Sequence, residues 1–527
     1  MNTVGYGEKL FFLLAAMLLS LGASPAFAQD GVRDLVVKIH TTRRDPDLAR
    51  PWTKQNPVNV SGSGIVIQGK RILTNAHVVM NASQIYVQPN QSPEKLAARV
   101  VTIAEPVDLA ILSVDDDSFF DKRAFLPFDD DLPKVKDAVS VYGFPTGGTE
   151  LSVTEGIVSR IEFTNFYQFT MGLRIQVDAA LNPGNSGGPV VSRGKLVGLV
   201  FSNIPNAQNI GYVIPIEEIR LFLDDLADGV YDGKPQLHDF FQTVENDSLR
   251  QRLALSKGAG GLMVTQPYSS DAGYPLKEWD VITAIGGQPI DSDGKVSVRY
   301  DLRVSALYLV QKHAKNGMLD VAVQRSGQPV RVNMPVARKR DLVMPYLRNR
   351  NPRYFIYGPL VFCAATQEYI DKLGNQLELY HARLGNPLML RRYDKPAFPG
   401  EEVVIACSPI FPHPINKGYD DPNGFVVKEV DGAPIKNLKH FVEVLRDGQG
   451  PQVTFKFAKM SNRMQENMIF DRRAMIAATE DILKDLGIRY QYSDDLRPVW
   501  ELVQQGPVKN CHRPSVGPFR ADAIGLK

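Results

Sequence analysis

The sharpest chemical signal in the chain is the string Asn182-Pro183-Gly184-Asn185-Ser186-Gly187-Gly188-Pro189. Glycine adopts backbone angles closed to other residues and lets a substrate come close to the main chain, so a serine set among glycines suits a nucleophile. A serine that attacks a carbonyl also needs amide N–H groups aimed at the oxygen that becomes negative. The amides of Gly184 and Ser186 stand where they would supply that hole. Serine is a weak nucleophile without a base. The candidate base is His77, in Leu73-Thr74-Asn75-Ala76-His77-Val78-Val79, just after an apparent strand and beside the small Ala76. An imidazole in that role needs an acceptor to fix its tautomer and stabilise its charged form. The candidate acceptor is Asp108, in Pro106-Val107-Asp108-Leu109-Ala110-Ile111-Leu112, at the mouth of an apolar run where an unpaired carboxylate would be costly to bury. Asp115, Asp116 and Asp117 read instead as a solvated acidic turn.

Gly184 to Gly188 also fits the G-x-S-x-G elbow of α/β-hydrolases. That elbow needs a helix straight after the serine and the chain order Ser, acid, His. Here Gly187-Gly188-Pro189 opposes a helix and Val190-Val191 begins a strand, and the order His77, Asp108, Ser186 is the chymotrypsin order. The other seven histidines stand in unremarkable settings. There is no H-E-x-x-H, and His413 and Cys407 lack partners at ligand spacing. No phosphate loop, dinucleotide fingerprint or basic-aromatic surface is visible, so neither metal nor cofactor is expected.

The elements that must position these residues read as short strands. Residues 58–68, 72–74, 84–87, 97–101, 110–114, 138–143, 151–161, 172–177 and 190–201 are apolar runs separated by Gly, Pro and Asn, the pattern of a sandwich or barrel. Residues 216–227 have helical spacing, with Ile219, Phe222, Leu223 and Leu226 on one face. Gly229 and Gly233-Lys234-Pro235 then read as a stop and a linker. A weak repeat follows: residues 280–290 align with residues 425–435, an offset of 145 residues. Each copy is a strand, a Gly turn and a short second strand, followed by a helical stretch at 302–313 and 438–445. Two copies at this distance mean two similar small domains, since a solenoid repeats every 20–50 residues. Their connection, residues 338–353, is basic and contains Pro345 and Pro352.

The chain has 527 residues, enough for about three or four domains. With 44% hydrophobic and 22% charged residues it is globular. A net charge of +2, 60 basic against 58 acidic residues, gives no basic excess for nucleic acid. Three cysteines cannot staple a chain this long. Cys363 and Cys407 leave one disulfide and three separate thiols both open, with Cys511 in the tail and no redox role expected. At the N-terminus, Lys9 precedes an apolar run at residues 10–21, and Ala26-Phe27-Ala28 offers a cleavage site. This is a secretory signal layout weakened by Glu8. A mature, exported chain from Gln29 is expected, with a bacterial periplasm as its compartment and no stable membrane insertion.

Thr74-Asn75-Ala76-His77-Val78-Val79, Asp108-Leu109-Ala110 and the Ser186 string together resemble the HtrA/Deg serine proteases. The second half looks closest to plant-type members with a divergent second PDZ domain, on Asn416-Lys417-Gly418-Tyr419, Pro434-Ile435-Lys436-Asn437-Leu438 and Tyr492-Ser493-Asp494-Asp495-Leu496. The resemblance implies a mainly β chain: a chymotrypsin-like double β-barrel followed by two PDZ-like α+β domains. The expected bounds are a signal peptide at 1–28, protease domain at 29–230, first PDZ-like domain at 234–338, second at 353–497, and a flexible tail at 498–527. It implies His77 as general base, Asp108 as its orienter, Ser186 as nucleophile, and the amides of Gly184 and Ser186 as oxyanion hole. It implies a homo-oligomer built from trimers and ATP-independent cleavage of misfolded or damaged proteins, in protein quality control. In trypsin-like enzymes the residue six before the nucleophile sits at the base of the S1 pocket. That is Ala180, and with Leu181 beside it small or medium apolar P1 residues are expected. A latent protease acting as chaperone or scaffold, and a regulatory protease with one dedicated substrate, are the alternatives. PDZ domains hold a peptide C-terminus on a Gly-containing loop. Leu237-His238-Asp239-Phe240 lacks the glycine and Asp239 would repel a carboxylate, so ordinary capture is not expected there. The second PDZ-like domain shows no clear loop, and Val361-Phe362-Cys363 reads as a strand for packing or assembly.

Overall fold

Alternating apolar and polar residues put one face of each strand inward, and the early strands close on themselves so that no edge is left open. The structure is a computed structural model describing residues 31–501 apart from 122, 124, 168, 202–210 and 462–466. The expected signal peptide, Cys511 and the tail beyond Glu501 lie outside the described residues. The chain divides into two compact units, one made of the chain to Asp45 with Asn56–Arg340, the other of Pro46–Gln55 with the chain from Asp341 onward.

In the first unit, β1 (Val36–Arg43), β2 (Val58–Ile67), β3 (Arg71–Thr74), β4 (Ala82–Pro89), β5 (Leu96–Ala104) and β6 (Leu109–Val114) form a closed barrel in the order β1-β2-β3-β6-β5-β4. Its interior holds Ile39, Ile65, Ile72 and Leu73, all fully buried. A second closed barrel, ordered β10-β11-β12-β9-β8-β7, is built from β7 (Ala138–Gly143), β8 (Ser152–Tyr167), β9 (Thr170–Val177), β10 (Pro189–Ser192), β11 (Lys195–Phe201) and β12 (Gly211–Pro215). Two strands, β1 and β12, lie outside the run read from the sequence. The stretch 190–201, read as one strand, is a hairpin. Arg193 and Gly194 both have positive φ, 51° and 73°, the backbone a two-residue hairpin turn requires. A one-turn helix, α1 (Ala76–Val79), follows β3, and α2 (Ile216–Asp225) follows β12 at the expected place. Gly229, at φ 89°, ends the 3₁₀ turn after α2.

The same unit contains a sheet in the order Phe240–Thr243, Leu262–Gln266, Val281–Ile285, Met318–Arg325, Gln328–Pro335, with the short strand Gln288–Pro289 pairing the third. Residues 302–313, expected as one helix, are a strand (Leu302–Ser305) followed by a helix (Tyr308–His313), because the β-branched Val304 pairs with Val296 across a hairpin. The core of this sheet and that of the second barrel are one cluster: Val139, Val158 and Ile175 share it with Ile282, Leu309 and Val321. Tyr308 meets Phe163 edge to face at 5.8 Å. Lys234, expected in a linker, is instead a buried joint. Its Nζ donates to Glu218 Oε2 at 2.7 Å and to Gln311 Oε1 at 2.8 Å. Burial pulls its ammonium below the ordinary lysine value, and the charge of Glu218 opposes that pull.

The second unit has a three-stranded sheet (Tyr354–Tyr357, Leu360–Ala364, Val404–Ala406). It also has a sheet of Ala433–Pro434, Val427–Val430, Gln452–Phe457 and Asn467–Asp471 in that order. The helix Leu438–Asp447 buries Leu438, Phe441, Val442 and Leu445 on one face, against Phe355, Phe362 and Phe455. Trp52 packs on Tyr354 and Phe411 at 6.2 and 5.8 Å. Two expectations are corrected here. The connection 338–353 contributes Val343 and Met344 to the core. The tail expected from 498 begins as the helix Arg497–Glu501, with Val499 buried and Trp500 against Phe355 at 4.9 Å. Edge protection is visible at Ile469, whose N–H and carbonyl both bond to Tyr419 Oη at 2.8 Å.

Cys363 and Cys407 are joined in a disulfide with a Cα–Cα distance of 5.8 Å, closing a separation of 44 residues. Closing a loop of that length removes unfolded-state entropy worth about 2–4 kcal/mol. Cys363→Ser with Cys407→Ser is therefore expected to lower the guanidinium midpoint of this unit. Trp52 and Trp500 report the transition, and reductant should bring the parent protein to the same midpoint.

Candidate active site

β3 and β6 are neighbours, with Thr74 opposite Ala110, so the segment after one and the segment before the other meet at one end of the first barrel. His77 lies on α1 after β3. Asp108 closes the 3₁₀ turn Glu105–Val107 just before β6, in the left-handed conformation at φ 55°, one that short polar side chains tolerate. Its carboxylate is thereby turned back on the helix. Oδ1 accepts the His77 N–H at 2.9 Å and Oδ2 lies 2.8 Å from His77 Nδ1. Asn75 Nδ2 donates to the Asp108 carbonyl at 3.0 Å. The carboxylate thus fixes both the backbone and the ring of His77.

Ser186 comes from the second barrel, in the loop between β9 and β10. The loop is held by its own amides: Asn185 N–H donates to Asn182 O at 3.0 Å, Gly187 N–H to Val200 O at 3.0 Å, and Gly188 N–H to Asn185 O at 2.9 Å. Among the described residues the N–H groups of Gly184 and Ser186, the two amides picked out in the sequence, make no hydrogen bond, as is also true of the loop amides of residues 179–182. Gly184 (φ 99°) and Gly187 (φ 83°) leave no room for a side chain. A Cβ would fall 2.4 Å from Phe144 O at the first and 2.2 Å from Ser63 O at the second. No hydrogen bond joins Ser186 Oγ to His77 among the described residues. Bonds of this kind often tighten only with substrate in place.

Of the expected pocket residues, Ala180 is exposed and Leu181 is half-buried. A Cβ placed on Gly211 would fall 2.3 Å from Leu181 Cδ1, so the glycine makes room for that side chain. Residues 202–210, just before Gly211, lie outside the described residues. In the first PDZ-like sheet Asp239 is buried. It accepts from Tyr268 N–H at 2.9 Å and from Tyr274 Oη at 3.1 Å, so its carboxylate is engaged internally.

Sequence reasoning missed two neighbours of the site. Phe201, at the end of β11, meets the His77 ring edge to face at 6.2 Å. Arg174, on β9, is buried with its Cζ 4.4 Å over the Phe201 ring. Burial pulls its guanidinium down to about 9, and the charges of Asp108 and Glu218 oppose the pull. The only sequence signal for Arg174 is a charge inside an otherwise apolar strand.

Residues 62–199 match the trypsin-like peptidase domain model, and residues 343–495 match a PDZ domain model. The chloroplastic protease Do-like 2 of Arabidopsis thaliana is 33% identical over 88% of this chain and 75% of its own length. The mitochondrial protease Do-like 4 of the same plant is 34% identical over 78% and 76%. A solved HtrA-type protease, AlgW with tripeptide, is 24% identical over 60% of this chain and 97% of that one, with a TM-score of 0.47. The chain belongs to the Do-like, or HtrA/Deg, family of trypsin-like serine proteases and is a serine endopeptidase. The relatives carry chloroplast and mitochondrion in their names, so a bacterial periplasm gains no support from them. Among the described residues no helix is long and apolar enough to cross a membrane.

Asp108→Asn is expected to keep the fold, since Asn tolerates the same left-handed backbone. It should lower kcat by about 10⁴-fold through loss of the ring tautomer. Peptidase kinetics beside a thermal melt would read both effects.

Proposed function

We propose that the chain is an exported, ATP-independent endopeptidase that degrades misfolded or damaged proteins through an acyl-enzyme on Ser186. The observation that carries this reading is the pair of unengaged amides, Gly184 and Ser186, in the serine loop of a chain that also holds the His77–Asp108 pair. His77 Nε2 takes the proton as Ser186 Oγ bonds to the scissile carbonyl carbon, and the two amides stabilise the oxyanion. The C–N bond breaks as the imidazolium returns that proton to the leaving amine. His77 then deprotonates a water whose oxygen bonds to the acyl carbon, and returns that proton to Ser186 Oγ as the ester C–O bond breaks. Asp108 holds the ring with Nδ1 protonated throughout.

The P1 pocket formed by Ala180 and Leu181 takes small or medium apolar side chains. The domains in this reading are a protease domain to about residue 230, a PDZ-like domain at 234–338, and a second PDZ-like domain to about residue 497, whose core already includes Val343 and Met344 of the 338–353 connection. Internal use of the Asp239 carboxylate supports a structural or regulatory first PDZ-like domain. The assembly is a trimer-based homo-oligomer. Export is supported by the leader-like residues 1–28 and by the Cys363–Cys407 disulfide, since such bonds persist in oxidising compartments. The bacterial periplasm is one such compartment.

The test is degradation of unfolded casein by the chain from Gln29 beside Ser186→Ala, with mass spectrometry of the products. Peptides ending in Val, Ala, Ile or Leu, absent from the variant, are expected. Equal cleavage by both proteins overturns the nucleophile. Silence from both favours a latent or holding protein, and cleavage of one native partner alone favours a dedicated regulatory protease.

A further inference from the structure

Four hydrogen bonds converge on Ser63, a fully buried residue of β2 in the first barrel. Its N–H donates to Ser186 O at 2.8 Å, and its carbonyl accepts from Thr74 Oγ1 at 2.7 Å. Its hydroxyl donates to Gly184 O at 2.8 Å and accepts from Phe144 N–H at 2.9 Å. A fifth bond ties the same two segments together: Thr146 N–H donates to Pro183 O at 2.7 Å. Lys38 Nζ, on β1, donates to Gly148 O at 2.7 Å and anchors the turn that carries Thr146.

These bonds fix the two peptide planes on either side of Gly184. In a trans peptide the C=O and N–H point opposite ways. The Pro183 carbonyl is held on Thr146, so the Gly184 N–H is turned away from that segment. The Gly184 carbonyl is held on the Ser63 hydroxyl, so the next plane cannot rotate either. Glycine imposes little preference of its own between the two orientations. The orientation of the hole is therefore set from outside the serine loop.

We propose that Ser63 is a positioning residue of the oxyanion hole, its hydroxyl clipping the Phe144–Thr146 segment to the serine loop so that Gly184 N–H faces the reacting carbonyl. The proposal rests on Ser186 being the nucleophile. An amide that binds charge only as it develops acts on the transition state and not on substrate affinity. Loss of the clip thus has a kinetic signature that general loosening of the fold lacks.

The test compares the chain from Gln29 with Ser63→Ala and Ser186→Ala on a fluorogenic peptide with an apolar P1 residue. Binding of a peptide boronate, whose adduct places an oxygen in the hole, is measured alongside. Ser63→Ala is expected to lower kcat by about 10²-fold, keep KM within about twofold, and weaken boronate binding by the same factor as kcat. Wild-type kcat, or a loss of kcat with boronate held as tightly as before, overturns the proposal. Should Ser63→Ala fail to fold, Thr146→Pro removes the companion donor. The same loss of kcat at constant KM supports the clip, and wild-type kcat overturns it. Cleavage by Ser186→Ala would instead overturn the reading of the nucleophile, a result distinguishable from either outcome for Ser63.

Discussion

The hydrogen bond from Ser63 N–H to Ser186 O, 2.8 Å long, joins the two barrels where the chemistry is expected. The first barrel contributes His77 and Asp108 and the second contributes the serine loop. Neither barrel alone holds the set. A backbone bond between β2 and the loop fixes the serine against the first barrel independently of the side chains that do chemistry. Close approach at this seam is why a side chain is excluded from it: a Cβ on Gly187 would fall 2.2 Å from Ser63 O and 2.3 Å from Thr74 Oγ1 of the first barrel. Gly187 is thus demanded by packing between the barrels, and Gly184 and Gly188 by close approach to Phe144 and Tyr142 within the second.

A second constraint operates where α2 packs against β9 of the second barrel. Glu218 is buried. It accepts from Leu173 N–H at 2.8 Å, from Gln311 Nε2 at 3.2 Å and from Lys234 Nζ. A buried ion pair gains little net stability, but removing one partner leaves a charge stranded at a cost of about 3–5 kcal/mol. The pair therefore works as a specificity device. It accepts one placement of the helix Tyr308–His313 against α2 and penalises others. Glu217 accepts from the Tyr308 hydroxyl at 3.2 Å, and burial, with the charge of Glu217 beside it, pushes the phenol well above its ordinary value. With the shared apolar core, these contacts make the first PDZ-like sheet part of the protease unit rather than a separate module on a linker.

The residues nearest the chemistry were legible because each sits in a local string whose composition is unusual for any other reason. Gly184 and Ser186 are framed by glycines, and Asp108 interrupts an apolar run. The strands were legible by alternation and turn residues. Failures have a common cause. Ser63 looks like an ordinary strand serine, Arg174 like a stray charge and Lys234 like linker composition, because each draws its role from residues beyond its local string, such as Gly184 121 positions from Ser63 and Gln311 77 positions from Lys234. The stretch 302–313 failed because apolar spacing over twelve residues fits a helix as well as a strand followed by a short helix. The Cys363–Cys407 pairing could not be chosen from spacing, since it depends on strands brought side by side.

Arg174 shows how such distant residues bear on the site. A guanidinium remains a cation in a protein interior, so burying it requires nearby compensation. It has two sources of negative charge, Asp108 in the first barrel and Glu218 on α2, and an aromatic face in Phe201. The same Phe201 packs on His77. The buried polar joint around Glu218 and the His77–Asp108 pair therefore share one charge, carried by β9. A shift of β9 that changed the burial of Arg174 would be felt at both.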